Sequence, residues 1–105
     1  MPVRLDVPPE RFAAEIEASA YFVVAEALTN VVKHAHAKHA EVRAFVEDGM
    51  LHLHVRDDGT GGADPSGHGL VGIADRVTAL GGRLELRDAP DGGTLVAASM
   101  PLSEA

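Results

Sequence analysis

Hydrophobic and polar positions follow two distinct periods along the first third of this 105-residue chain. Val3, Leu5 and Val7 alternate with polar residues, which predicts a short half-buried strand that the next two prolines end. From about residue 11 to residue 37 the apolar positions recur at helical spacing instead. This change of period predicts one strand followed by one long amphipathic helix.

The two faces of this predicted helix differ in chemistry when about 100° is allowed for each residue. Its apolar face carries Ala20, Val24, Ala27, Leu28, Val31 and Ala35. Its polar face carries Glu26, Asn30, Lys33 and His34. One face is therefore expected to pack, while the other presents several polar groups together.

Two alternating segments follow the helix, residues 41–47 and 50–57, and Asp48-Gly49 between them is a strong hairpin signal. In the second segment Leu51, Leu53 and Val55 form the inward set. His52, His54 and Arg56 then lie on the other face.

A glycine-rich stretch from Gly59 to Gly69 has no periodicity and predicts a loop. Helical spacing then returns at Leu70, Ile73, Ala74, Val77 and Leu80. Gly81-Gly82 is a helix stop, and residues 83–87 and 94–100 predict a second hairpin. The order of elements predicts a single domain over residues 1–105, a two-layer α/β sandwich whose mixed, mostly antiparallel sheet has helices on one face.

Composition narrows the possible functions. The net charge of −7 argues against a nucleic-acid binder, which would need a basic patch, but it does not argue against ATP. The absence of cysteine excludes a disulfide framework and thiolate metal sites, and it is compatible with a reducing cytosol. No apolar run approaches the length of about 18 residues that a membrane helix needs.

Three segments carry candidate chemistry: Ala25-Glu26-Ala27-Leu28-Thr29-Asn30-Val31-Val32-Lys33-His34, Asp57-Asp58-Gly59-Thr60-Gly61-Gly62, and Gly67-His68-Gly69-Leu70-Val71-Gly72. In order and spacing they resemble the nucleotide-binding boxes of the ATPase superfamily of sensor histidine kinases, type II topoisomerases, heat-shock chaperones and mismatch-repair ATPases. The resemblance covers roughly residues 3–102 and implies a Bergerat-type fold. It points to the catalytic domain of a histidine kinase.

The first segment is expected to serve the phosphate end of ATP. Mg²⁺ prefers hard oxygen ligands and few protein groups, so the Asn30 side-chain carbonyl fits as its ligand, and the resemblance implies the same role. By resemblance, Glu26 either activates or orients the nucleophile or organises the water shell of the metal. Lys33 is placed to reach phosphate oxygens, and His34 either donates to a phosphate or orders the pocket wall.

The second segment is expected to read the base. A carboxylate at Asp57 can accept a hydrogen bond from the adenine amine, its role in the resembled family, while Gly59 and Gly61 allow the backbone to approach. Asp58 stands where many relatives have asparagine. Thr94, which follows Gly92-Gly93, resembles the hydroxyl that supports the adenine-binding carboxylate in that family.

The third segment is expected to meet the phosphates. The spacing of Gly67, Gly69 and Gly72 also fits a dinucleotide fingerprint, but here the glycines follow a loop rather than a strand. We therefore predict a helix N-terminus facing the ATP phosphates, with His68 and Leu70 among the nucleotide-binding residues. Residues 62–68 would form a short lid, as in the NarL/DesK-like subclass.

The histidines suggest two other roles. A metal cluster is disfavoured because positions 34 and 36 point about 160° apart on a helix and no further ligand completes a site. The resemblance places the phosphoacceptor histidine on a dimerisation helix and before an acidic residue. The six histidines here are followed by Ala, Ala, Ala, Leu, Val and Gly, so none of them resembles the phosphoacceptor.

The resemblance thus implies a Mg-ATP-binding domain that transfers the γ-phosphoryl group to a histidine on a dimerisation domain outside this chain, for relay to a response regulator of the NarL type. The parent protein is expected to be a homodimer, and this domain by itself a monomer. The domain is expected to lie in the cytoplasm, whether or not the parent protein is anchored to the membrane. Alternatives are an anti-sigma-factor serine kinase and a nucleotide-sensing module without transfer activity.

Overall fold

The fold is a five-stranded mixed sheet with two helices, in a computed structural model that describes residues 3–8, 10–32, 37–59, 70–88 and 92–102. Its elements are β1 (Val3–Asp6), α1 (Ala14–Asn30), β2 (Ala40–Glu47), β3 (Met50–Asp57), α2 (Leu70–Ala79), β4 (Arg83–Asp88) and β5 (Thr94–Pro101). The strand order is β1-β2-β3-β5-β4, with β1 parallel to β2 and the other neighbouring pairs antiparallel. The predicted α/β sandwich is confirmed.

The core lies between the sheet and the two helices. Leu51, Leu53 and Val55 of β3 are buried, as their alternation predicts, and they pack in one cluster with Ile73 and Val77 of α2. Both helices pack against β5, α1 also packs against β3, and α2 also packs against β4. The core is therefore centred on the strands that the second half of the sequence supplies.

Helix α1 begins at Ala14, about three residues later than its periodicity predicts. Ala13 offers no side-chain cap, so Glu17 reaches back instead and accepts the Phe12 N–H at 3.1 Å. The pKa of the Glu17 carboxyl is lowered. The largest cause is the side-chain hydrogen bond from Arg11, at 2.9 Å, and the next is the Phe12 N–H. The Glu17 carboxylate thus fixes the segment that leads into the helix, a contact similar to the side-chain-to-backbone half of a capping box.

The buried stripe of α1 is rotated from the predicted one. Its buried residues are Ile16, Ser19, Val23 and Ala27, and Val31 is buried beyond them. Ala20, Val24 and Leu28 are only half-buried. The cause is the position of α2, which packs against α1 and β4, whereas on the β1 side Ala20 and Val24 line an open groove of about 350 Å³.

Strand β1 forms as predicted, but the prediction that it is half-buried is wrong. Val3 is 40% exposed, and Leu5 and Val7 are 66% and 58% exposed. The physical reason is its place at the sheet edge, paired with β2 alone, while the helices pack against strands farther along the sheet.

Glycine turns end two elements as the sequence indicates. Asp48 and Gly49 both have positive φ, 53° and 74°, which is the two-residue hairpin turn that matches the twist of the strands. Gly81 has φ of 78°, and the Gly82 N–H donates to the Val77 carbonyl at 2.9 Å, which closes α2 in a Schellman motif. Within the described ranges, no helix is long and apolar enough to cross a membrane.

Candidate functional site

Chain connectivity brings the described members of the predicted site to one end of the sheet. Strand β1 is parallel to β2, so α1 between them runs back along the sheet and ends where β2 begins. Because β3 and β5 are antiparallel, Asp57 at the end of β3 is paired with Thr94 at the start of β5. Helix α2 precedes β4 through a tight turn, which places its N-terminus at this same end.

Asp57 occupies a buried position at the end of β3. It is 6% exposed, and its Oδ1 atom accepts the Gly59 N–H at 2.7 Å. The Gly59 contact holds one carboxylate oxygen, and an ionised carboxylate has acceptor capacity for a further donor from outside the protein.

The start of β5 is fitted closely against Asp57. Thr94 is also 6% exposed and is the register partner of Asp57. A Cβ atom on Gly93 would lie 1.9 Å from the Asp57 carbonyl oxygen, and only glycine fits there. The sequence indicates Thr94 through its resemblance, whereas the close contact of Gly93 has no sequence signal beyond the Gly92-Gly93 pair.

Asp58 turns away from Asp57 because successive strand residues point to opposite faces. Its Oδ1 atom accepts the N–H groups of Lys38 and His39 at 2.8 and 2.9 Å, and its Oδ2 atom lies 3.0 Å from His39 Nδ1. These contacts lower the pKa of Asp58 to about 2, with the His39 N–H as the largest cause. The sequence offers no hint of this bond set, since its partners lie about twenty positions away.

Helix α1 brings Glu26 and Asn30 one turn apart on its polar face. Both side chains are half-buried, and the Asn30 Nδ2 atom is buried without a hydrogen-bond partner in the described part of the chain. Beyond Asn30 the helix widens into a π-type turn at residues 31–32, a distortion often found at functional sites.

The orphaned amide of Asn30 tests whether this site suits a metal. An amide carries a donor and an acceptor, and rotation by 180° exchanges the two. A buried polar atom without a partner is costly, so the site gains when a ligand supplies one. An amide oxygen with a nearby carboxylate is a donor set that Mg²⁺ accepts, and the residues present therefore fit the predicted ion.

Helix α2 starts at this end with Leu70, whose side chain is buried in the core. Leu70 can thus offer a ligand only its backbone. Gly72 lies in the first turn, and a Cβ atom there would meet the Phe22 ring at 3.8 Å, which is ordinary contact. The first turn of a helix has N–H groups without intrahelical acceptors, so the predicted phosphate contact stays a prediction that the fold permits.

Several predicted residues lie outside the described ranges: Lys33, His34, Gly61, Gly67, His68 and Gly69, with the lid at 62–68. The described residues that the structure gathers near β3 and β5 are Asp57, Gly59 and Thr94. In the described part of the chain no group of three or more acidic or histidine side chains could hold a metal ion. His52 instead stacks on Phe45, with ring centroids 4.9 Å apart, on the sheet face away from the core.

Comparison with known families gives a match over most of the chain. Residues 15–104 match the family model described as histidine kinase-, DNA gyrase B-, and HSP90-like ATPase. The chain is 34% identical over 98 residues to the signal transduction histidine-protein kinase/phosphatase DegS of Brevibacillus brevis. The aligned region covers 90% of this chain and 25% of DegS. It is 40% identical over 82 residues to UhpB of Salmonella typhimurium, covering 75% of this chain and 16% of UhpB.

A solved structure agrees with these relatives. The Erythrobacter litoralis EL346 blue-light activated histidine kinase superposes with a TM-score of 0.85 at 27% identity, over 98% of this chain and 38% of that one. The chain thus spans a quarter or less of the length of the two curated relatives named above. It corresponds to one portion of each of them.

Proposed function

Because the chain belongs to the family of histidine kinase-, DNA gyrase B- and HSP90-like ATPases, we propose that it is the Mg-ATP-binding catalytic domain of a sensor histidine kinase. It transfers the γ-phosphoryl group to a histidine on a dimerisation domain outside these 105 residues. The phosphoryl group then passes to a response regulator of the NarL type, within a homodimeric parent that works in the cytoplasm. The names of the relatives, which are sensor histidine kinases, support this proposal.

The buried carboxylate of Asp57 is the observation that carries the proposal. Its Oδ1 atom accepts the Gly59 N–H, and the ionised carboxylate has acceptor capacity for a further donor. An acceptor of this kind selects a base with an exocyclic amine, as adenine has, over one with a carbonyl oxygen, as guanine has. Thr94 is buried at the position paired with Asp57, and we assign to its hydroxyl the support of this carboxylate.

The polar face of α1 is assigned to the phosphates. Asn30 would hold Mg²⁺ through its amide oxygen, and the ion, when bound, would neutralise charge on the phosphate oxygens. Glu26, one turn earlier, either takes the proton that the acceptor imidazole loses or orders the water shell. Phosphoryl transfer needs mainly positioning and charge stabilisation, which suits a site without a covalent nucleophile.

The test compares this chain alone with the same chain carrying the upstream dimerisation helices of its parent. With γ-labelled ATP and Mg²⁺, we expect the longer protein to gain an acid-labile, base-stable label, as phosphohistidine does. The 105-residue chain alone should bind ATP and gain no such label. A longer protein that binds ATP without labelling would support a sensing module, and a stable serine phosphate on an added partner would support an anti-sigma-factor kinase.

A further inference from the structure

Asp58 joins two parts of the molecule that the nucleotide must meet together. It follows Asp57, the carboxylate assigned to the base, and its own side chain binds residues 38 and 39 just before β2. The α1–β2 connection that ends there begins at Asn30 and contains Lys33 and His34 in its sequence. The bond set thus ties the base end of the site to the far end of that connection.

The geometry of the tie restricts motion in several directions. The two N–H groups of Lys38 and His39 converge on one oxygen, Oδ1, at 2.8 and 2.9 Å. The second oxygen meets His39 Nδ1 at 3.0 Å, and the Asp58 N–H donates to the His39 carbonyl at 3.3 Å. Four contacts from one residue extend the β2–β3 ladder, whose last pair is Ala40 with Asp57, by one further step.

The two adjacent carboxylates therefore have separate tasks. Asp57 is buried and is assigned to the adenine amine, whereas the Asp58 side chain is 42% exposed and has both oxygens engaged by the protein. A residue with both oxygens engaged has little capacity to bind nucleotide itself. It can act on the nucleotide only through the groups that it holds.

We propose that Asp58 is a positioning residue that sets the distance between the adenine-binding carboxylate Asp57 and the magnesium-binding end of α1. The inference rests on the proposed function, since it concerns how the same ATP site is assembled. The backbone N–H groups of Lys38 and His39 are its essential partners. The His39 ring adds a weaker, exposed contact, since its side chain is 69% exposed.

The test measures ATP and GTP affinity, each with and without Mg²⁺, for the wild-type chain and three variants. In Asp58→Ala the N–H groups of Lys38 and His39 lose their acceptor, and we expect the gain in ATP affinity that Mg²⁺ confers to fall about tenfold. The ratio of ATP to GTP affinity should stay near its wild-type value, because Asp57 and its Gly59 contact remain. Asp58→Asn keeps an oxygen that accepts both N–H groups, so it should restore the gain to within about threefold.

His39→Ala is the matched control, because it removes only the ring contact and leaves both backbone N–H groups in place. We expect less than about a threefold change in the Mg²⁺-dependent gain. An Asp58→Ala variant that keeps the full Mg²⁺-dependent gain overturns the proposal. So does an Asp58→Asn variant that loses as much of the gain as Asp58→Ala.

A second measurement needs no variant. Amide hydrogen exchange at Lys38 and His39 should slow when Mg-ATP binds the wild-type chain, although neither residue contacts the nucleotide in the proposed site. If the chain binds Mg-ATP and the exchange is unchanged, the proposed role of Asp58 is overturned and the proposed function is not. A wild-type chain that binds no ATP at all overturns the proposed function.

Discussion

The two ends of the candidate site differ in how far the protein itself completes them. At the base end, Asp57 is fixed by the Gly59 N–H, paired with Thr94 and packed against Gly93. On α1, the buried Nδ2 atom of Asn30 has no partner within the described ranges. The base end is thus organised before the ligand arrives, whereas the metal end depends on a ligand to satisfy its polar groups.

This contrast separates stability from function. Changes at the base end should disturb both, because binding and folding use the same contacts there. Changes at Asn30 should disturb binding alone, because an unsatisfied buried group does not stabilise the apo protein.

The largest effect is expected from Asp57. In Asp57→Ala the nucleotide loses a hydrogen bond to a charged group, so ATP affinity should fall about 10- to 100-fold. The wild-type chain should bind ATP at least ~10 times tighter than GTP, and Asp57→Asn should narrow that ratio because an amide can rotate and donate to the guanine oxygen. Competition against a fluorescent ATP analogue measures both quantities. Equal wild-type affinities for ATP and GTP would show that Asp57 does not read the base.

The second prediction compares two glycines at opposite ends of β5. In Gly93→Ala the new methyl would lie 1.9 Å from the Asp57 carbonyl oxygen, and in Gly82→Ala it would lie 2.0 Å from the Ser99 carbonyl oxygen. Both changes should destabilise the chain by roughly 1 to 3 kcal/mol, because backbone must move. Only Gly93→Ala should also weaken ATP binding by the folded protein, by about tenfold, since it displaces Asp57.

Urea unfolding gives the stabilities, and titration well below the unfolding midpoint gives the affinities. Gly82→Ala is the control for general destabilisation. Similar loss of ATP affinity in both variants would mean that the base end is no more sensitive than the rest of the sheet.

The third prediction concerns Asn30→Ala. The gain in ATP affinity from Mg²⁺ should shrink about tenfold, while the affinity without metal stays unchanged. The free energy of unfolding without nucleotide should stay level or rise by about 0.5 to 1 kcal/mol, because an orphaned amide is replaced by a better helix former. Calorimetric titration with and without Mg²⁺, and unfolding without ligand, check the two halves. A clear loss of apo stability would mean that Asn30 has a structural partner.

The smallest effect is expected from the charge of Asp58. The pKa of Asp58 is lowered from its ordinary value of 3.8 to about 2 by hydrogen bonds that favour the charged form. The stabilising contribution is therefore fully present above about pH 4 and is lost as the pH falls through 2. The free energy of unfolding should be measured for the wild type and Asp58→Asn at pH 5, 4, 3 and 2. We expect the difference in this free energy between the two proteins to shrink as the pH falls. A difference that does not change with pH would mean that the charge of Asp58 contributes nothing.

Local signals account for what the sequence predicts well. The Asp48-Gly49 turn, the Gly81-Gly82 stop and the alternation of Leu51, Leu53 and Val55 each depend on neighbours in the chain, and each is found in the structure. The position of Asp57 before a glycine turn is also visible locally.

Features that depend on packing between distant segments are not visible in this way. The exposure of Leu5 follows from which strands the helices cover, and the rotated stripe of α1 follows from where α2 lies. The partners of Asp58 lie 19 and 20 positions away in the sequence. An aspartate at position 58, where many relatives have asparagine, does not indicate which residues it binds. The contact of Gly93 with the Asp57 carbonyl is equally a product of strand register.

The parallel pairing of β1 with β2 bears on the order in which the molecule assembles. Joining Val3 to Ala40 closes a loop that includes all of α1, whereas β2 with β3 is a hairpin with a two-residue turn. Long loops cost more entropy to close, so the hairpin forms readily and the parallel edge late. In the native state we expect β1, with its exposed side chains, to be the first strand to detach. The strands that carry Asp57 and Thr94 lie in the interior of the sheet, and we expect them to open last.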